Sequence, residues 1–308
     1  MDHIVTLNSK NYILYYEYFL SQYRTYLELE NKADETVKVY INCITEFLTL
    51  LKVDVNDIDY THILDYRNEL QDVHKLAPST INKKIYAIKS FLSWLCDNDY
   101  IDVDIARKIR TIKIKSTKVS PKSLTNKEIK LILHFCELSP PHVRLRNLAM
   151  IQLMINTGIR VSELVELNCE DVNIKKRYSN IEVKNCKGLN DREIRISTTT
   201  RDALVSYFKF RLENDDLKNE NPAIACQDGE RMSIRVVQAT IQNLARKAKI
   251  TRLKVSPHTL RHTFATRYHK ETKDLAGLAA ICGHNSINST AKYSLPSEDK
   301  LLQDLDWL

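Results

Sequence analysis

The sequence predicts a mainly α-helical protein of two helical domains, the second interrupted by one small β-hairpin. Three observations predict it. The 308 residues hold only five glycines and seven prolines, few for a turn-rich β chain. Apolar residues recur at helical spacing along most of the chain, and strict alternation occurs only around residues 181–196. The length also exceeds what one core usually organises, which points to two domains.

Taken in order, Val37, Tyr40, Ile41, Ile44, Phe47, Leu48 and Leu51 mark one face of an amphipathic helix over 36–51. Ile81, Ile85, Ile88, Leu92 and Leu95 repeat the pattern, with Ser79 after Pro78 as N-cap and Lys83, Lys84 and Lys89 on the other faces. Together with helices near 13–31 and 61–72, these make a four-helix domain over residues 1–106. Beyond it, "SLTNKEIKLILHF" is a capped helix and "RNLAMIQLMINTG" a buried one ending at Gly158. Ile181 and Val183 alternate with polar residues, as do Ile194 and Ile196, which predicts a hairpin whose loop carries Lys184 and Lys187. Helices resume through 199–213, 233–248, 258–270 and 273–282, and the second domain takes in residues 123–308.

Net charge is +7, but it is unevenly spread. Residues 1–106 carry 10 Lys/Arg against 17 Asp/Glu, whereas 107–122, "RKIRTIKIKSTKVSPK", carry seven basic residues and no acid. That segment reads as a basic linker suited to lie across a polyanion, while the acidic first domain shows that net charge alone does not identify the partner. The N-terminus lacks the pattern of a signal peptide, and no apolar run is long enough to span a membrane. Seven scattered cysteines, never spaced C-x-x-C, read as buried free thiols of a reducing cytoplasm rather than a disulfide frame or a zinc site.

Four segments stand out for their chemistry. They are "TGIRVSEL" at 157–164, the hairpin loop with Lys187, "SPHTLRHTFATRYH" at 256–269 and "ICGHNSINSTAKYS" at 281–294. A helix starting near Pro257 puts His258 and Arg261 one turn apart on one face, with His262 and Leu260 pointing elsewhere and Leu260, Phe264 and Ala265 in the core. Two arginines, two histidines, a lysine and a tyrosine, with no matched carboxylate set, describe a site that handles a phosphodiester without a metal or other cofactor. Guanidinium groups hold phosphate oxygens in pairs. A histidine donates to another oxygen or moves a proton. A tyrosine hydroxyl attacks phosphorus, and a lysine protonates the departing alkoxide.

"TGIRVSEL", "HTLRHTFAT" and "CGHNSINSTAKYS" resemble the three signature boxes of the tyrosine recombinases of the lambda-integrase type, most closely the short Xer-like members. "APSTINKKIYAIKSFLSWLCDNDYI" resembles that family's N-terminal core-binding, SAM-like domain, so the likeness covers nearly the whole chain. The resemblance implies that Arg160 and Arg261 are phosphate clamps with His258 beside them, His284 a phosphate donor, Tyr293 the nucleophile and Lys187 the general acid. It also implies that Glu163 braces the first arginine. The hairpin departs from the usual G-K-G-x-K-x-R turn, because Cys186 replaces the first glycine and Asp191 precedes Arg192, and Lys184 stays open as the alternative acid.

The implied activity is that of a site-specific DNA recombinase working through a 3′-phosphotyrosyl intermediate and a Holliday junction, with four protomers on two sites. Lys83, Lys84, Lys89, Arg107, Lys108, Arg110, Lys113 and Lys115 are the expected DNA contacts. A type IB topoisomerase and a catalytically silent accessory factor are the rival readings. Leu301, Leu302, Leu305 and Leu308 give the tail 294–308 an apolar stripe for docking on its own domain or a neighbouring protomer. The expected setting is the cytoplasm, in association with the nucleoid.

Overall fold

In the computed structural model the described residues are 9–113, 123–175, 178–184, 191–214 and 221–283. The chain divides into two compact units between Thr117 and Lys118.

The first unit contains α1 (Ser9–Leu29), α2 (Asp34–Leu51), α3 (Tyr60–Asp72) and α4 (Pro78–Asp97). In α2, Val37, Ile41, Ile44, Phe47 and Leu48 are buried, as the helical spacing requires, and Lys52 closes the helix in the left-handed region. Asp59 caps α3 by accepting from the backbone N–H groups of Thr61 and His62. The start of α4 differs from expectation. Pro78 occupies the first turn and Ala77, not Ser79, is the N-cap, with no side-chain cap bond. Proline is preset for that position and has no N–H to satisfy, and it holds the preceding residue extended, so no hydroxyl cap is needed. Along α4, Ile81, Ile85, Ile88, Phe91, Leu92 and Leu95 are fully buried against an aromatic cluster that includes Tyr23 and Trp94.

The segment following α4 is built into the same unit. Ile105, Ala106 and Ile109 belong to its core. Asn82, on α4, pairs with both backbone groups of Ile112, accepting from its N–H at 2.8 Å and donating to its carbonyl at 2.9 Å. The packing therefore shows no break at residue 106, and the described part of the basic segment is held to α4.

The second unit runs through α5 (Asn126–Glu137), α6 (Pro141–Thr157), α7 (Val161–Glu166), β1 (Val172–Asn173), β2 (Asn180–Val183), β3 (Arg192–Arg195), α8 (Thr198–Asn214), α9 (Ile234–Lys247), α10 (Pro257–Thr272) and α11 (Leu275–Cys282). Thr125 and Glu128 form a reciprocal capping box at the start of α5. Helix α6 lies at the centre, with Ala149, Met150, Ile151, Leu153, Met154 and Ile155 buried. The strands form an antiparallel sheet in the order β1-β2-β3, and Ile181 faces Ile194 across the hairpin. β1 was not anticipated, because two residues are too few to show alternation. Ile196 lies beyond β3 and donates its N–H to the carbonyl of Ser179 at 3.0 Å.

The six described cysteines are unpaired, but only Cys136 and Cys282 are buried; the other four are half-buried, against the expectation of buried thiols throughout. No described helix is long and apolar enough to cross a membrane.

Candidate active site

Gly158 ends α6 in the left-handed region at φ 65°. A β-carbon there would lie 2.4 Å from the Phe264 ring, so α6 and α10 approach this closely only at a glycine. Helix α10 is started by Ser256 and Pro257 and carries Leu260 and Ala265 fully buried. Its Thr263 hydroxyl accepts the N–H of Leu124 at 2.8 Å and donates to the Thr259 carbonyl at 2.8 Å. From this helix Arg261, only 6 % exposed, donates to the Gly158 carbonyl at 2.7 Å and to the Cys282 carbonyl at 2.6 Å.

Arg160 enters from the other side, at the N-cap of α7. Its side chain donates to Glu163 Oε1 at 2.7 Å and to the Gly283 carbonyl at 2.6 Å, while its N–H donates to Glu163 Oε2 at 2.7 Å. Arg192, the first residue of β3, grips the same carboxylate with both terminal nitrogens, at 3.0 and 2.8 Å, and donates from Nε to the Ile281 carbonyl at 2.9 Å.

Three guanidinium groups from α7, β3 and α10 thus meet three consecutive carbonyls, Ile281, Cys282 and Gly283, at the end of α11. A helix C-terminus leaves its last carbonyls without intrahelical donors and carries partial negative charge, so cations fit there. Glu163 supplies the full negative charge that lets three arginines stand together. Burial by itself would raise its carboxyl, but the bonds from Arg192 and Arg160 outweigh that and hold it below the usual range. Burial lowers the Arg261 guanidinium. Gly283, at φ 59°, admits the cage because a β-carbon would come within 3.0 Å of Arg192 Nη1.

His258 is exposed at the start of α10, one turn before Arg261. Contrary to expectation, His262 does not point away from it. The two rings pack edge to face with centroids 4.4 Å apart, because residues four apart on a helix are stacked neighbours. The structure therefore brings Arg160, Arg261 and Glu163 together and sets His258 on the same helix as Arg261. Lys187, His284 and Tyr293 lie outside the described residues, as does the tail 294–308.

Lys184 is held by two carboxylates, Asp171 at 2.6 Å and Glu170 at 3.0 Å, which raise its ammonium above the usual range. Sequence reasoning gave Arg192 no role, although it stands where the family's turn pattern ends in arginine, because its partners are remote in sequence.

Of the expected DNA contacts, Lys83, Arg107, Lys108, Arg110 and Lys113 are exposed, and Lys115 lies outside the described residues. Lys84 pairs with Glu46, and Arg107 with Asp104 at 3.1 Å. Lys89 donates to the Ile109 carbonyl at 3.0 Å.

Residues 122–299 match the phage integrase family, over more than half of the chain. The chain belongs to that family. Residues 19–102 match the N-terminal SAM-like domain of phage integrases. The tyrosine recombinase XerC of Thermodesulfovibrio yellowstonii is 28% identical over 283 residues, 90% of this chain and 91% of the relative. The tyrosine recombinase XerC of Bacillus licheniformis is 30% identical over 299 residues, 92% of this chain and 93% of the relative. Among solved structures, the site-specific recombinase XerH bound to its difH substrate in a pre-cleavage complex superposes with a TM-score of 0.72 over 99% of both chains. At 20% identity that likeness concerns the fold, which is the mainly helical fold with a small sheet and a SAM-like first domain that the sequence predicts. The tyrosine-recombinase character expected from the three boxes holds.

Proposed function

We infer that this integrase-family chain is a site-specific DNA recombinase that cuts and rejoins strands through a covalent protein–DNA bond. Beyond family membership, one observation carries the reading. Arg160 and Arg261, 101 positions apart, converge on adjacent carbonyls at the end of α11, immediately before His284. That convergence supports the two arginines as clamps for one scissile phosphate, with His258 beside them and His284 as a further donor.

In this scheme the Tyr293 hydroxyl attacks phosphorus and forms a 3′-phosphotyrosyl bond. The P–O5′ bond breaks, and Lys187 gives its proton to the departing 5′-oxygen. The arginines stabilise the charge that grows on the phosphorane. A 5′-hydroxyl from a partner strand then reverses the step, so bond energy is retained and exchange passes through a Holliday junction. The two carboxylates holding Lys184 support Lys187 as the acid, because a cation so paired releases its proton less readily.

Duplex DNA is the partner, and phosphate contacts from Lys83, Lys84, Lys89, Arg107, Lys108, Arg110, Lys113 and Lys115 would supply most of the affinity. Four protomers on two sites, exchange of the tail 294–308 between protomers, and action in the cytoplasm on nucleoid DNA complete the proposal.

The test is to denature the protein after incubation with genomic DNA and recover and sequence the DNA that stays attached. A covalent adduct at a defined sequence is expected from the wild-type chain, and none from Tyr293→Phe, which removes one oxygen and little volume. An adduct from Tyr293→Phe would reassign the nucleophile. Relaxation of a plasmid lacking that sequence would shift the reading to a topoisomerase.

A further inference from the structure

The proposed chemistry assigns no task to Arg192, yet its side chain makes three bonds inside the arginine cage. We propose that Arg192 is a positioning residue for strand cleavage: by joining Glu163 to the end of α11 it fixes the Arg160 guanidinium and the point at which the chain leaves for His284. This rests on the reading of the cage as the cleavage centre.

The geometry allows no simpler assignment. Each Glu163 oxygen is shared by both arginines. Oε1 accepts from Arg160 Nη1 and Arg192 Nη1, and Oε2 from the Arg160 N–H and Arg192 Nη2. Without Arg192 the carboxylate would lose two of its four donors and its tie to the end of α11, leaving Arg160 braced by a group held only from α7's own first turn. Arg192 commits Nε, Nη1 and Nη2 all to protein acceptors, the Ile281 carbonyl and both Glu163 oxygens, which is the pattern of a support.

Its place in the chain adds to the argument. Arg192 pairs with Val183 at the mouth of the hairpin loop, five residues beyond Lys187. One side chain therefore ties the root of that loop, α7 and α11 to a common point. A lysine cannot do the same, since one ammonium lacks the planar fork that spans Glu163 while a third N–H reaches Ile281.

The charged and titratable groups around Glu163 are Arg160, Arg192, Arg261 and the Cys282 thiol. Burial pushes the carboxyl up and the arginine bonds pull it down, so losing Arg192 should raise it. The carboxylate's function is present above its pKa and lost as pH falls through it. The acid limb of the cleavage rate should therefore move to higher pH in the variant.

The experiment measures single-turnover adduct formation across pH on a nicked duplex carrying the recovered site, alongside thermal unfolding. Arg192→Ala should slow cleavage by about 10–100-fold, the usual cost of removing an outer support of a site, and displace the acid limb upward. Arg192→Lys should fall between it and wild type. In a Glu163→Gln background, the loss from Arg192→Ala should shrink to less than about threefold, since the two act as one unit.

An unmoved acid limb with a plateau that only tracks the folded fraction would overturn the proposal. So would a rate within about twofold of wild type. If Arg192→Ala does not fold, Arg192→Lys carries the same comparison, and an unmoved limb there overturns it equally. Failure of the wild-type chain to form any adduct would instead remove the cleavage reading itself, and this proposal with it.

Discussion

Among the described residues, the first unit buries one polar side chain, Asn82, whereas the second buries ten, among them Arg211, Arg261 and His262. The first unit keeps its many charges outside and fills its interior with Tyr23, Phe47, Phe91, Trp94 and aliphatic residues. Its single buried amide has both its donor and its acceptor satisfied by Ile112. The second unit has an equally apolar core around α6, yet at one edge it encloses Arg261 and the pair formed by Glu163 and Arg192. Taking ions out of water is expensive, and apolar packing of the same volume would stabilise as well or better. The contrast fits the proposal that the charge at this edge of the second unit serves cleavage, with carbonyls and Glu163 arranged to make its burial tolerable.

Four substitutions press on this contrast. The largest stability effect belongs to the apolar interior: Phe91→Ala should cost about 3–5 kcal/mol in urea unfolding, the range for a truncated core phenylalanine. Its cleavage rate per folded molecule should stay at wild type, and a rate that fell along with stability would break the separation of roles.

Arg261→Ala should show the opposite balance. Adduct formation should drop by roughly 10²–10³, as when a charge-stabilising donor is lost. DNA affinity should stay mostly intact in a gel-shift titration. The unpaired Gly158 and Cys282 carbonyls should cost about 1–3 kcal/mol of stability besides. A rate within about fivefold of wild type would remove Arg261 from the chemistry.

Gly158→Ala lies between the two regimes. It puts a side chain into a left-handed backbone and against Phe264, at about 1–3 kcal/mol in thermal unfolding. Because the Gly158 carbonyl holds Arg261, activity should fall further than stability explains.

The smallest effect concerns a pair at the surface of the second unit, with Arg252 exposed and Glu128 half-buried. Arg252 holds the Glu128 carboxyl down to about 2, well below its usual value. A lowered carboxyl stabilises above its ordinary pKa and loses that contribution as pH falls through the lowered one. Glu128→Gln should therefore cost less than about 1 kcal/mol at neutral pH, as surface pairs do. Its urea midpoint should converge on wild type as the pH approaches 2. A gap that persists there would mean that packing, not charge, holds Arg252.

Much of the fold was legible because its signals are local. The faces of α2 and α4 follow from a 3.6-residue period, the start of α5 from Thr125 and Glu128, and the end of α6 from Gly158. The β2–β3 hairpin was legible from its alternation, but the two-residue β1 was too short to register. The start of α4 was misplaced because a hydroxyl one residue after a proline looks like a cap, although proline had already met the local need. In the site, the motifs named Arg160, Arg261 and Glu163, and helical spacing placed His258 one turn before Arg261. The same spacing, read further, puts His262 against His258.

By itself, then, the sequence determined the family and which residues are candidates for phosphate chemistry, since both are written in residue type and short-range spacing. Only the tertiary structure decided how the charges are housed. Arg160 reaches Gly283 across 123 positions, Arg261 reaches Gly158 across 103, and Arg192 reaches Ile281 across 89. No periodicity spans such separations. The same packing decided that Lys184 meets Asp171 and Glu170, and that Arg192 shares Glu163 with Arg160. Those partnerships exist because α7, α10 and β3 converge on the last carbonyls of α11, where a helix end offers acceptors without intrahelical donors.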